Sequence, residues 1–307
     1  PDIPRQAGGG VHVNTLGGAL AFFIPLFASL LLDGGAFSRV YLSGKKGALI
    51  FRVAYKLSLV GILLLAVVVL YQTGSRGALV GVAAGLLALA VWRDRRFAWL
   101  ILLLALGLIA LFFVQFDGRI AQLIEVIDAG EDQTLTTRLE LWRHTLAMIQ
   151  DLPLTGAGIG NYSAIFSELY IHEVFQNATV PYLHTHNTFL AVAVDLGLPA
   201  LALYSALLTG FAIMVFRRLK IGRSVLRVLL QGLACGVAAH HLFGLMDTFV
   251  LGTKLGAILW IFLGLGAAVY VHKENFSWRG SLQTTDRRAP QRPDARQVKK
   301  RTLDLLV

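Results

Sequence analysis

The sequence predicts an all-α fold: a polytopic transmembrane helical bundle of about seven spans with a large helical extracytoplasmic loop. Three observations carry this: the composition, seven apolar stretches near bilayer length, and a lopsided distribution of basic residues. Of 307 residues, 56% are hydrophobic and only 15% charged, with a mean hydropathy of +0.65. A soluble domain would carry about 25% charge, so the composition argues strongly against an ordinary globular enzyme. The one cysteine, Cys235, rules out an intrachain disulfide. Position 1 is Pro rather than Met, as expected of a chain lacking earlier segments.

A bilayer core needs about 20 mostly apolar residues in a helix. The stretches that approach this length are 16–32, 57–71, 78–92, 97–114, 198–216, 228–246 and 255–271. Several are short, so tilt and snorkelling ends make up the difference. None reads as a cleavable signal peptide, because no basic flank and small-residue cleavage site frame the first. Gly17 and Gly18 read as close helix packing.

The chain therefore divides into spans one to four (1–114), an extracytoplasmic helical loop (115–185), spans five to seven (186–272) and a basic tail (273–307). Most of the 28 basic residues fall on one side, in the clusters Arg39 to Arg52, Arg93 to Arg96, Arg217 to Arg227 and the tail. The positive-inside rule puts that side, with the C-terminus, in the cytoplasm and 115–185 outside. The loop holds nine acidic residues against three arginines. The net charge of +10 is thus cytoplasmic flanking charge, and no nucleic-acid partner is implied. The tail is polar, basic and poor in aromatics, the composition of a disordered segment drawn to anionic membrane lipid.

A loop of this length is functional or disordered, and this one carries helix signals. Thr137-Arg138-Leu139-Glu140 has capping-box spacing. Leu139, Trp142, Leu146 and Ile149 then form an apolar stripe, and the helix should stop before Pro153. Gly156, Gly158 and Gly160 read as a tight turn, not a dinucleotide fingerprint, since no strand precedes them. A second amphipathic helix follows with Tyr162, Phe166, Leu169 and Tyr170 on one side.

Three polar features stand out. Arg76, in Ser75-Arg76-Gly77 at an outer hairpin, reads either as an interfacial anchor or as an anion ligand strengthened by low dielectric. Arg138, in the first turn of the capped helix, disfavours itself unless an anion is near, because a helix N-terminus attracts negative charge. His184-Thr185-His186-Asn187 precedes the fifth span. On a helix the two imidazoles would point about 200° apart, and no third ligand completes a metal set. A neutral histidine acting as proton acceptor is the functional alternative to an interfacial helix cap. The excess length from His186 to Phe216 should emerge outside or kink at Pro199. Asp247 is set aside as a cap or a partner of Lys254, and His240 and His241 are set aside with it.

These residues, taken in order, resemble a known family. The pattern comprises Asn14 with Gly17-Gly18, Ser75-Arg76-Gly77, Arg138-x-x-x-Trp142, and Asp151-x-Pro153-Leu154-x-Gly156-x-Gly158-x-Gly160-Asn161-Tyr162. It closes with His184-x-His186-Asn187-Thr188-Phe189-Leu190 and Gly197-Leu198-Pro199. It is similar to the O-antigen ligase and O-antigen polymerase superfamily of bacterial envelope proteins, over about residues 14–271. One departure is Ala200, where the family pattern usually has Gly.

The resemblance implies a metal-independent, cofactor-free glycosyltransferase of the bacterial inner membrane, acting at its outer face. Such proteins move a glycan from undecaprenyl diphosphate to an acceptor hydroxyl, which can belong to a lipid A core sugar, another lipid-linked repeat or a protein. It assigns Arg76 and Arg138 to the donor diphosphate and His186 to base catalysis. His184 and Asn187 would orient the base or the acceptor, and Tyr162 and Trp142 would stack on sugar rings or simply pack. The rival classes are a transporter or flippase, whose ionisable groups would sit near the midplane, and a non-catalytic scaffold.

Overall fold

The computed structural model describes residues 13–32, 48–94, 96, 99, 135–170, 184–219, 225–248 and 253–285. The described residues are helices joined by turns, with no strand among them. In chain order the helices are α1 (Val13–Leu31), α2 (Ala48–Gln72), α3 (Arg76–Arg93), α4 (Leu135–Asp151), α5 (Tyr162–Ile165) continued by a π-helical turn (Phe166–Tyr170), α6 (Thr188–Leu219), α7 (Val225–Phe243) and α8 (Lys254–Thr285). Six of them are long and apolar enough to cross a membrane. The expected span at 97–114 lies outside the described residues. Two compact units are present, Pro1–Ala267 and Ala268–Val307, and everything below concerns the first. Helix α8 itself continues to Thr285, into the stretch expected to be tail.

Helices α1, α3 and α7 form the tightest part of the bundle. Between membrane helices there is little hydrophobic drive, so close backbone approach and dispersion do the work, and small residues permit it. A Cβ on Gly81 would collide with the carbonyl of Ala239, and one on Gly236 with the carbonyl of Phe22. Around these contacts Ala21, Ile24, Ala78, Val82 and Phe243 close a buried core. His240 belongs to it: its ring stacks on Phe22 at 3.9 Å and its Nδ1 meets the Gly18 carbonyl at 2.9 Å. His241 reaches the Tyr204 hydroxyl at 2.8 Å. Both histidines are thus held by contacts inside the bundle.

One end of the bundle gathers the start of α1, the turn between α2 and α3, the start of α6 and the end of α7. Helix α6 is broken there. Gly197 takes φ 83 and ψ 170, a region that only glycine adopts without strain. The kink therefore falls at Gly197, not at Pro199 as expected. Pro199 instead sits in the first turn of the resumed helix, where its missing N–H costs nothing.

The groups freed by the break are taken up by the glycine turn. Ala157 N–H donates to Val194 O at 2.7 Å, Gly158 N–H to Asp195 O at 2.9 Å, and Leu198 N–H to Pro153 O at 2.7 Å. Gly156, at φ 66, lies so close to the Asp195 backbone that no side chain fits. The glycine run is a dock against the break.

Helix α4 starts at Leu135, so Thr137 lies within it and the expected capping box does not form the N-terminus. Glu140 instead pairs with His144 at 3.2 Å, one turn on. The buried face is also shifted from the expected stripe. Leu141, Met148 and Ile149 pack with Tyr162, Phe166, Ala193 and Val194, while Leu139 and Leu146 are exposed. Leu141, Thr145 and Met148 follow the i, i+4, i+7 spacing of a helix face.

Candidate functional site

The segment 184–187 is not helical. Asn187 is the N-cap of α6: its Oδ1 accepts from Phe189 N–H at 3.0 Å and Leu190 N–H at 3.1 Å. That satisfies two of the amides left orphaned at a helix start. Its amide nitrogen donates to Leu245 O at 3.2 Å, and Thr188 N–H donates to Gly244 O at 2.7 Å. The start of α6 is thereby stitched to the loop that follows α7. Thr185 is buried and its hydroxyl meets that of Thr248 at 3.1 Å.

This stitching delivers Asp247 to His186. Oδ1 of Asp247 lies 3.4 Å from Nδ1 of His186, an electrostatic contact longer than a formed hydrogen bond. Asp247 is only 6% exposed, and the Thr248 N–H donates to it at 2.7 Å. Burial pushes the carboxyl up, but the imidazoles of His186 and His184 and the Thr248 N–H outweigh it and hold it below the ordinary carboxylate range. Asp247 is neither a simple cap nor a partner set aside for Lys254. It is a candidate site residue that the sequence reading set aside, and its position beside a buried histidine corrects that reading.

The two histidines are corrected as well. Because the segment is extended and turned, their rings lie 4.1 Å apart instead of diverging. His184 Nδ1 accepts from the His186 N–H at 3.4 Å. His186 holds φ 50, a left-handed conformation uncommon outside glycine and asparagine and enriched at functional sites. One ligand atom each from His184, His186 and Asp247 lies within 4.8 Å of the others. The expectation that no third ligand stands beside the histidines therefore fails: the donor types and spacing fit a divalent cation.

Arg138 comes to the same place from α4. Burial drives its guanidinium toward losing its proton, the Asp247 charge opposes this, and the Arg76 charge adds to it, for a net downward shift. An arginine nonetheless stays charged in proteins. Both Asp247 and Arg76 are thus within electrostatic reach of Arg138, whose buried Nε makes no hydrogen bond among the described residues. Arg76, at the first position of α3, is exposed. Arg138, remote in sequence from both, thus has the carboxylate beside His186 and the Arg76 guanidinium within electrostatic reach.

Of the remaining expected residues, Trp142 donates its indole N–H to Thr185 O at 2.9 Å, tying α4 to the histidine segment. Tyr162 is buried, with its hydroxyl 3.0 Å from that of Thr145. It is a packing residue with no face free for a sugar. Burial pushes its phenol up, so it is no proton donor of ordinary strength.

The chain is thus a multi-pass membrane protein with a buried histidine–carboxylate pair and two arginines gathered at one end of its bundle. Residues 61–205 match the family model described as O-antigen ligase. The matched stretch, just under half of the chain, contains Arg76, Arg138, Trp142, His184, His186 and Asn187, with Asp247 beyond its end. The comparison with curated proteins finds no match.

Proposed function

We propose that the protein transfers a glycan from undecaprenyl diphosphate to an acceptor hydroxyl at the outer face of the bacterial inner membrane. The observation that supports this reading is that Arg138 lies within electrostatic reach of both Arg76 and Asp247, and that Asp247 stands 3.4 Å from His186. In this mechanism the guanidinium groups bind the diphosphate oxygens and stabilise the charge left as the anomeric carbon–oxygen bond breaks. His186 takes the proton of the acceptor hydroxyl on Nε2 as the new carbon–oxygen bond forms. Its Nδ1 faces Asp247, which offsets the positive charge the ring gains. Trp142 and Asn187 act as positioning residues through Thr185 and the α6 cap.

The reaction is proposed to be metal-independent. Support comes from charge: two arginines against one carboxylate leave the site net positive, which suits an anionic diphosphate and opposes a divalent cation. Transfer should survive EDTA, and a loss reversed by one divalent ion would overturn His186 as the base.

The deciding experiment is reconstitution of the full chain with a lipid-linked donor and each acceptor class in turn: core-type glycolipid, a second lipid-linked repeat, and a protein hydroxyl. His186→Ala should abolish transfer while leaving membrane abundance unchanged. Transfer retained by that variant, or transport of the donor lipid without transfer, would refute the proposal. For the orientation, Ser167→Cys should be labelled from outside the inner membrane. The native Cys235 is buried and adds no background.

A further inference from the structure

The unit formed by α4, the glycine turn and α5 buries one side against α6 and leaves an apolar rim on the other. Leu154 is 73% exposed, Ile159 64% and Leu169 74%. Between Asp151 and Glu168 the sequence contains no charged residue. Isolated exposed leucines are ordinary, but a group of them on one rim marks an interaction surface.

The surface has a fixed address. Three backbone hydrogen bonds hold the turn to the break in α6, and the Leu154 carbonyl abuts Gly197 so closely that a Cβ there would overlap it. Directly beyond the break, α6 resumes as a helix of membrane-crossing length on which Leu198, Leu203 and Leu207 are exposed. The rim is therefore bonded to the start of a helix long and apolar enough to cross a membrane. The turn cannot stand off from the bilayer while those bonds are intact.

We infer that the turn from Leu152 to Ile159 dips into the bilayer, with Leu154, Ile159 and Leu169 seated at the boundary between headgroups and acyl chains and Asn161 left on the aqueous side. The partner is the lipid surface itself. The charges that bound this stretch in the sequence, Asp151 and Glu168, are acidic, so insertion is driven by apolar burial and not by attraction to anionic headgroups. The consequence is positional: α4, and with it Arg138, is held at headgroup height. The inference stands apart from the glycosyl-transfer reading, because it is tested without any substrate.

The test uses the full chain in phosphatidylcholine nanodiscs, with a single fluorescent label on Leu154→Cys, Ile159→Cys or, as an aqueous reference, Asn161→Cys. Lipids carrying a nitroxide at a shallow or a deep acyl carbon quench according to depth. Seating about 5–10 Å into the boundary predicts strong shallow quenching at 154 and 159, weaker deep quenching, and little of either at 161. Adding anionic lipid or salt should leave the pattern unchanged. Quenching at 154 and 159 no stronger than at 161, with free access to an aqueous quencher, would overturn the inference. So would labels shielded from both lipid and water, which would mean that a second copy or another segment covers the rim. If one variant fails to accumulate, the other carries the same readout.

Discussion

Replacing Asp247 with Asn separates a carboxylate that supplies charge from one that only fills space. The group is 6% exposed and its Oδ1 lies 3.4 Å from Nδ1 of His186. As the base, His186 acquires a positive charge while the acceptor proton moves onto it. Two unit charges at that separation attract by about 5 kcal/mol at an effective dielectric of about 20. A proton half transferred in the transition state draws on about half of that, or roughly 50- to 100-fold in rate. Donor affinity should move the other way or not at all, because Arg138 loses a competing anion and offers its whole field to the diphosphate. The assay is single-turnover transfer in proteoliposomes, with donor binding measured separately. A rate within about threefold of wild type would refute the reasoning. A loss confined to donor binding would refute it equally.

The same carboxyl has a pH signature. Its acidity is raised in the folded protein, so it contributes stability above the ordinary carboxylate value of about 3.9 and loses that contribution as pH falls through its lower folded value. Melting temperature in detergent should show a decline below about pH 4 that Asp247→Asn lacks; identical profiles would contradict the pairing. Gly197→Ala should destabilise by roughly 1–3 kcal/mol from backbone strain alone, with the clash against Leu154 added, seen as a lowered melting temperature; an unchanged one would refute the break. Trp142→Phe removes the indole bond to Thr185 and leaves a buried carbonyl with one partner fewer, costing about 1 kcal/mol. It should lower kcat more than donor affinity, and an equal fall in both would point to general damage.

The spans were legible because the bilayer imposes a local rule: each must satisfy its own backbone and be long and apolar enough to cross. Runs such as 228–246 declare this without reference to any neighbour. The residues Arg76, Arg138 and His186 were legible only as an ordered pattern, since each alone reads as an ordinary anchor, helix charge or cap. What stayed hidden was set by contacts between distant segments. Asp247 reaches His186 because Thr188 bonds Gly244 and Asn187 bonds Leu245, which no spacing rule foretells. The buried face of α4 was misread because two apolar faces overlap at Ile149, and only Ala193 and Val194 opposite decide between them. The divergence of His184 and His186 followed from assuming a helix where the chain turns, with His186 at φ 50.

The break at Gly197 also decouples two rotational phases. In an unbroken helix every residue is locked to every other at 3.6 positions per turn, so rolling a span to suit its lipid neighbours would roll everything mounted on its end. Here the piece from Thr188 to Leu196 takes its azimuth from the glycine turn and from Gly244, while the piece from Leu198 takes its own from the bundle. Substitutions that rotate the membrane-crossing part are absorbed at one glycine, and the cap that Asn187 makes beside His186 keeps its bearing. The aim of the site is set independently of the membrane helix that carries it.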